Sequence, residues 1–349
     1  MWASWIEAGE EVSSMLTQPV KAVTNLEAEA RFTPRYLEAS QYRLWDALVD
    51  ISPQGSVFCR QWWLNAVGNV RVLGCFSGNE LIAGIPLYFE RHFGIPVCTM
   101  PKLTQNWGVV MRPLEGKPVV AAARETKILR TIAAQLSAYK LFFQAFHPNL
   151  SNWLPFYWSG FRQTTRFTYV LDHLTDVSRL WRGVSESARR QITKARKADL
   201  RVVPCEIEEV YRCECSSYRR QGKMPPHSES LLNAIYAAAK ENDSGACFAV
   251  VDRDGSVHSA WLLVWDANRA YNLVGGADTQ LRNSGANVLG TWDAIQFAAQ
   301  RSCAFDFAGS VVESIERFNR NFGATQVPYN YVMKIPTLAH ACLQFAGKL

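Results

Sequence analysis

The sequence lacks the signatures of most covalent, metal and redox chemistries. It has no Walker loop, no His-Glu-x-x-His, no nucleophile elbow and no fingerprint of three spaced glycines. P-loop phosphoryl transfer, zincin-type hydrolysis, serine-hydrolase chemistry and nicotinamide binding therefore lose their usual anchors. No Cys-x-x-Cys pair occurs among the nine cysteines, and Cys213 and Cys215 form a Cys-x-Cys with no further pair at zinc-finger spacing. Reduced thiols in a cytosolic protein are the simplest account. No stretch reaches the roughly 18 uninterrupted apolar residues of a membrane span. Met1 to Glu11 has neither the basic flank nor the apolar core of a signal peptide. These absences predict a soluble, cytoplasmic protein without a metal or a tightly bound cofactor.

What is present is ordinary globular composition with a heavy aromatic load, 12 Trp, 12 Tyr and 18 Phe, enough to line clefts as well as cores. The 349 residues suggest two domains or one large one. A net charge of +6 suits a substrate bearing phosphate or carboxylate, or RNA, without singling one out.

An internal repeat organises the chain. Residues 70–76 and 81–89 are apolar runs around Ser77-Gly78-Asn79-Glu80, a β-hairpin pattern. The same pattern returns about 177 residues later, at 246–251 and 257–265 around Asp252-Arg253-Asp254-Gly255, with a third strand at 270–274. Helical stretches follow at 125–139 and 286–300, then short apolar strands at 142–146 and 304–307. Phe156, Gly160, Gln163 and Val170 recur as Phe318, Gly323, Gln326 and Val332, at offsets of 162 or 163. The order of elements predicts an α/β (α+β) fold of two modules, each a mixed, largely antiparallel sheet flanked by helices. The modules span 31–175 and 176–335, after a poorly patterned segment at 1–30 and before a C-terminal helix at 336–349.

Four segments of the second module carry candidate chemistry. From Ser185 to Arg201, Ala188, Ile192 and Ala195 form an apolar stripe and Arg190, Lys194 and Lys197 a basic one. That stripe is either a solvated face or a cationic wall for an anionic ligand. Leu281 to Ala286 is a glycine-bearing turn opening a helix, either a plain helix start or a phosphate cradle that uses Arg282. Phe305-Asp306-Phe307-Ala308-Gly309-Ser310 sets a carboxylate between two Phe on a strand. Period-two alternation turns Asp306 away from both, toward a structural ion pair or a cleft shared with Ser310, Glu313 and Arg320. Tyr218 to Lys223 carries Arg219 and Arg220 on a helix breaking at Gly222, a candidate lid over an anionic substrate, with His227 nearby as a surface residue or a base.

At these residues the sequence resembles the FemAB-type branch of the GNAT acyltransferase superfamily, in which two GNAT-like domains pack side by side. The likeness runs from about Tyr36 to Lys334. It rests on Phe58-Cys59-Arg60-Gln61-Trp62-Trp63, the Arg189-to-Lys197 helix, Gly275-Gly276-Ala277-Asp278, the Phe305-to-Ser310 strand and the Phe318-to-Gly323 element. The resemblance implies amide formation on an acceptor amine, with the acyl group carried by aminoacyl-tRNA. The acceptor is then a peptide, a peptidoglycan precursor or a natural product. An acyl-CoA donor is the alternative, favoured by the partial match of Arg282 and Gly285 to a coenzyme A loop in which Asn287 replaces the final small residue. A non-catalytic module binding tRNA or a sugar nucleotide is a third reading. The branching enzymes carry Lys after the Phe that aligns with Phe318, whereas this chain has Asn319 with Arg320 beside it. The expected catalytic set is therefore Asp306, Arg320 and Asn319. The expected substrate contacts are Arg190, Lys194, Lys197, Arg219, Arg220, Asp278, Arg282, Ser310, Glu313 and Phe318.

Overall fold

The computed structural model describes residues 32–336, apart from 93, 310 and 311. The segment at 1–30 and the helix expected at 336–349 lie outside the described residues, Pro336 excepted.

The hairpins form where the apolar alternation places them. The first half contains β1 (Phe32–Tyr36), β2 (Val70–Ser77), β3 (Glu80–His92), β4 (Ile95–Thr99), the short β5 (Val110–Met111), β6 (Phe142–Ala145) and β7 (Arg162–Asp172). The second contains β8 (Arg201–Pro204), β9 (Gly245–Val251), β10 (Val257–Trp265), β11 (Arg269–Ala277), β12 (Ala304–Asp306) and β13 (Thr325–Lys334). Twelve strands form one continuous path, β1-β2-β3-β4-β6-β13-β7-β12-β11-β10-β9-β8, and β5 pairs with β3 off that path. Read inward from its two edges, the path is the same twice. Hairpins β2–β3 and β9–β10 occupy matching places, and each half has one parallel contact among antiparallel neighbours, β4 with β6 and β11 with β12.

The halves are not separable sheets. The last strand of each half inserts beside the other half's penultimate strand. β13 pairs with β6, β7 pairs with β12, and β7 and β13 pair antiparallel from Thr325↔Val170 to Met333↔Arg162. The boundary drawn at residue 175 thus falls just after a strand that belongs spatially to both halves.

Helices cover both faces. The first half supplies α1 (Tyr42–Ile51), α2 (Gln61–Val67), α3 (Pro118–Leu136) and α4 (Leu154–Trp158). Helix α3 begins seven residues before the expected 125, at a proline in its first turn, where a missing N–H costs no helical bond. The second half supplies α5 (Val177–Gly183), α6 (Glu186–Lys197), α7 (Ile207–Arg219), α8 (Glu229–Glu241), α9 (Ala286–Ala298) and α10 (Glu313–Arg320). Helix α6 starts at Ser185, whose hydroxyl accepts the Ala188 N–H, and gives way near Asp199, in a left-handed conformation at φ 56°.

Three cores result. One joins α1 and α2 to α7 and α8 across the halves, through Trp45, Phe58, Trp63, Val210, Leu232 and Tyr271. A second lies under α5, α6 and α9, and a third under α3 and α4. The Phe58-to-Trp63 run serves the first of these. Trp45 and Trp107 donate indole N–H bonds to the Cys59 and Phe58 carbonyls at 2.6 and 2.8 Å. The Val57 N–H meets Asp266 of the second half at 2.7 Å.

Candidate functional site

β11 and β12 run parallel only from Arg269↔Ala304 to Tyr271↔Asp306. There β12 ends and β11 continues to Ala277 with no strand on that side among the described residues. A lone strand edge presents unpaired backbone donors and acceptors. The pairing of β10 with β11 also slips between Leu262 and Leu263, leaving Leu273 as an extra residue. Such a bulge re-aims the neighbouring side chains.

A cleft of about 380 Å³ opens along this edge. Its walls are Asn272, Gly275 and Gly276 of β11, Trp261 of β10, Asn287 and Thr291 of α9, and Phe318 and Asn319 of α10, with Ser217 and Arg220 at the end of α7. Packing fixes each wall. The absence of a side chain at Gly290 on α9 admits the Trp261 indole, since a Cβ there would lie 2.4 Å from the ring. The Ser217 hydroxyl takes the Ala277 N–H at 3.0 Å and ties α7 to the end of β11. Phe318 stacks edge-on against Phe322, 5.3 Å between centroids, and Phe322 meets Phe307 at 5.7 Å, so α10 is anchored through an aromatic chain.

Three polar atoms in these walls are buried without a hydrogen-bond partner: Trp261 Nε1, Asn272 Oδ1 and Asn319 Nδ2. An unmet buried donor or acceptor costs about 1–3 kcal/mol. All three lie around this one cleft. Two are donors and one an acceptor, and Arg220 is the one charged residue in the wall among the described residues.

The cleft gathers Arg220, Phe318 and Asn319 of the expected site residues, together with Asn287. The others stand elsewhere. Asp306 points away from Phe305 and Phe307, as the strand period requires, but its partner is Arg269 rather than Arg320. It is fully buried and accepts from Arg269 Nη1 at 3.0 Å, Thr168 Oγ1 at 2.5 Å and the Ala308 N–H at 2.9 Å. Burial pushes its carboxyl above the ordinary carboxylate range, and the Arg269 charge pulls the other way. These contacts describe a structural ion pair. Arg320 is exposed and turned to Glu316 at 3.5 Å, because successive helical residues lie about 100° apart and Asn319 takes the inward position.

The basic stripe also faces water. Arg190, Lys194 and Lys197 are exposed, Arg190 pairs with Glu186, and Ala188, Ile192 and Ala195 bury the opposite face of α6 against α9. Arg219 and Arg282 are exposed as well. Glu313 pairs with Arg317 at 2.7 Å, and Asp278 holds the turn after β11 by accepting the Gln280 N–H at 2.8 Å. Ser310 lies outside the described residues. His227 is buried rather than on the surface, with Nε2 3.1 Å from Glu214 Oε1. Trp261, Asn272 and Thr291 were not anticipated. Gly275-Gly276 was the one nearby signal in the sequence.

Residues 182–318 match the family model of the acetyltransferase (GNAT) domain. No curated protein sequence matches the chain. Among solved structures, FemX superposes with a TM-score of 0.64 at 13% identity, covering 90% of this chain and 99% of that one. L-PGS from Bacillus licheniformis gives a TM-score of 0.52 at 9% identity, covering 90% and 98%. A tandem GNAT protein from the clavulanic acid biosynthesis pathway gives 0.50 at 9%, covering 87% and 98%. Residues 182–318 thus match an acetyltransferase (GNAT) domain, and nearly the whole chain shares its fold with FemX and with the tandem GNAT protein.

Proposed function

We propose that the cleft beside β11 transfers an aminoacyl group from aminoacyl-tRNA to the amine of a peptide, peptidoglycan-precursor or natural-product acceptor. The observation that carries this reading is the set of three unpartnered polar atoms around one open strand edge. In this mechanism the acceptor nitrogen attacks the ester carbonyl carbon and negative charge develops on the carbonyl oxygen. Asn319 Nδ2 and Trp261 Nε1 donate to that oxygen, in the role that preorganised donors play in acyl transfer. Asn272 Oδ1 accepts from the attacking amine and orients it. The wall offers no carboxylate among the described residues, so the amine arrives uncharged. Its surplus proton leaves with the departing tRNA hydroxyl as the tetrahedral intermediate collapses. Asn319 rather than Arg320 then takes the place of the family lysine. The exposed cations of α6 and Arg219 favour a polyanionic donor, which they meet outside the cleft.

Acyl-CoA is the second donor reading, and the start of α9 favours it. Gly285, at φ 85°, occupies the cap position and supplies no side-chain cap. Among the described residues only the Ala286 N–H is covered, by Ser284 Oγ at 3.3 Å, and Asn287, two residues past Gly285, lines the cleft. Thermal stabilisation by charged tRNA but not by acetyl-CoA, with amide formation on an added amine, supports the first reading. The reverse pattern transfers the proposal to the second. Stabilisation by uncharged and charged tRNA alike without any amide product would leave a binding module.

A further inference from the structure

A second cavity, of about 540 Å³, lies at the opposite end of β11, between the end of α1, the loop after β6 and the starts of β11 and β12. The acyl-transfer reading does not use it. Its wall contains Tyr271, fully buried, whose hydroxyl has no hydrogen-bond partner. Beside it is Arg269. The ion pair with Asp306 engages its Nη1, and the remaining guanidinium N–H groups have no partner among the described residues. His147 completes the set. Its Nδ1 accepts the Asn149 N–H at 3.1 Å, so the ring proton sits on Nε2, which has no partner among the described residues. Burial, with the Arg269 charge behind it, holds His147 down at about 3, so the ring is neutral at ordinary pH.

Three donors of different types face one space, and their chemistry calls for an acceptor. Arg269 and Asp306 cancel in charge, and the rim carries Asp50 and Asp172, so a dianion would meet net repulsion. Asp50 is held by Arg60 at 2.6 Å, whereas the Asp172 carboxylate makes no hydrogen bond or close ion pair among the described residues and feels only the more distant charge of Arg269. A ligand with one carboxylate and one ammonium matches both ends. We propose that this cavity binds a free α-amino acid, its carboxylate on Tyr271, Arg269 and His147 and its ammonium toward Asp172. The cavity is of the size that holds such a ligand, the common range being about 300–1,000 Å³.

The test is calorimetric titration of the full chain with free amino acids, their C-terminal amides, their N-acetyl derivatives and inorganic phosphate. Free amino acids are expected to bind, with the amides weaker by about 10-fold or more, the scale of a lost charge-assisted hydrogen bond. N-acetylation should weaken binding by less, because Asp172 lies exposed at the rim. Arg269→Gln would strand the buried Asp306 and risks unfolding, so Tyr271→Phe is the deciding variant. It should weaken the amino acid by about 5-fold and raise the melting temperature of the ligand-free protein, since it removes an unsatisfied buried hydroxyl. Amides or phosphate binding as tightly as the acids, unchanged affinity in Tyr271→Phe, or no binding by any amino acid up to about 10 mM would each overturn the assignment.

Discussion

The two halves treat the same gap in opposite ways. In the first, β4 meets β6 in parallel at Cys98↔Phe142, as β11 meets β12 in the second. Past that contact the first half fills the space with its own chain. Trp107 bridges Phe146, its N–H donating to the Ala145 carbonyl at 2.7 Å and its carbonyl accepting from His147 at 2.8 Å. Both rings are fully buried, and the Trp107 indole reaches across to the Phe58 carbonyl. In the second half no strand among the described residues pairs with the equivalent edge, and the side chains around it keep polar atoms unmet. One copy of the scaffold is closed at this place by its own chain, while the other keeps a cleft there. The deciding residues lie in the segments after the shared strands.

The largest effect that would sharpen this contrast is on the sealed side. Trp107→Ala should cost about 3–5 kcal/mol of stability, through the cavity left and the orphaned Phe58 carbonyl, read from urea denaturation. Turnover per folded molecule should hold. On the open side the pattern reverses. Asn319→Ala should leave the urea midpoint nearly unchanged and lower kcat by about 10²-fold or more, the scale of a lost oxyanion donor. If stability and turnover fell together in either variant, the division of roles would break.

The histidines of the two halves offer a finer comparison by pH. His147 is held at about 3 by burial and the Arg269 charge, against an ordinary value of 6.5. The unfolded chain therefore takes up a proton that the folded one refuses, and stability present above pH 6.5 is lost as pH falls toward 3. Burial lowers His227 too, but the hydrogen bond and charge of Glu214 raise it by more, above its ordinary 6.5. Its contribution is complete below 6.5 and fades as pH rises through the folded value. In urea titrations, His147→Gln should flatten the acid limb and His227→Gln the neutral-to-alkaline one. Exchanged effects would mean that the local environments are misread. The smallest effect is expected at Arg320→Ala, whose loose exposed pair with Glu316 should be worth under about 0.5 kcal/mol, with turnover within about twofold.

Local patterning made the elements legible. The hairpin at 70–89 and its return at 246–265, the amphipathic α6 and the reversal of Asp306 against its flanking Phe all follow from periods of 2 and 3.6. What the pattern could not carry was partnership at long range. The partner of Asp306 is Arg269, 37 residues away, and no spacing rule distinguishes it from Arg320, 14 residues away. Charge density drew attention to Arg190, Lys194 and Lys197, yet an exposed cation on a solvated face looks the same in sequence as one in a groove. Trp261 and Asn272 read as ordinary strand residues, because the loss of a neighbouring strand is visible only once β12 has stopped short. The exchange of β7 and β13 was hidden for the same reason, since each pattern is that of a terminal strand whichever sheet receives it.

That exchange also sets a timetable for the chain as it is made. Ala145 pairs with Tyr331, 186 residues further on, so β6 leaves the ribosome long before its partner exists. At about 5–20 residues per second the wait is about 10–40 s, during which β6 presents a bare edge of the sort that recruits foreign strands. The nascent first half is thus a partial sheet in search of a closing strand, and its lifetime is set by translation speed rather than by its own folding.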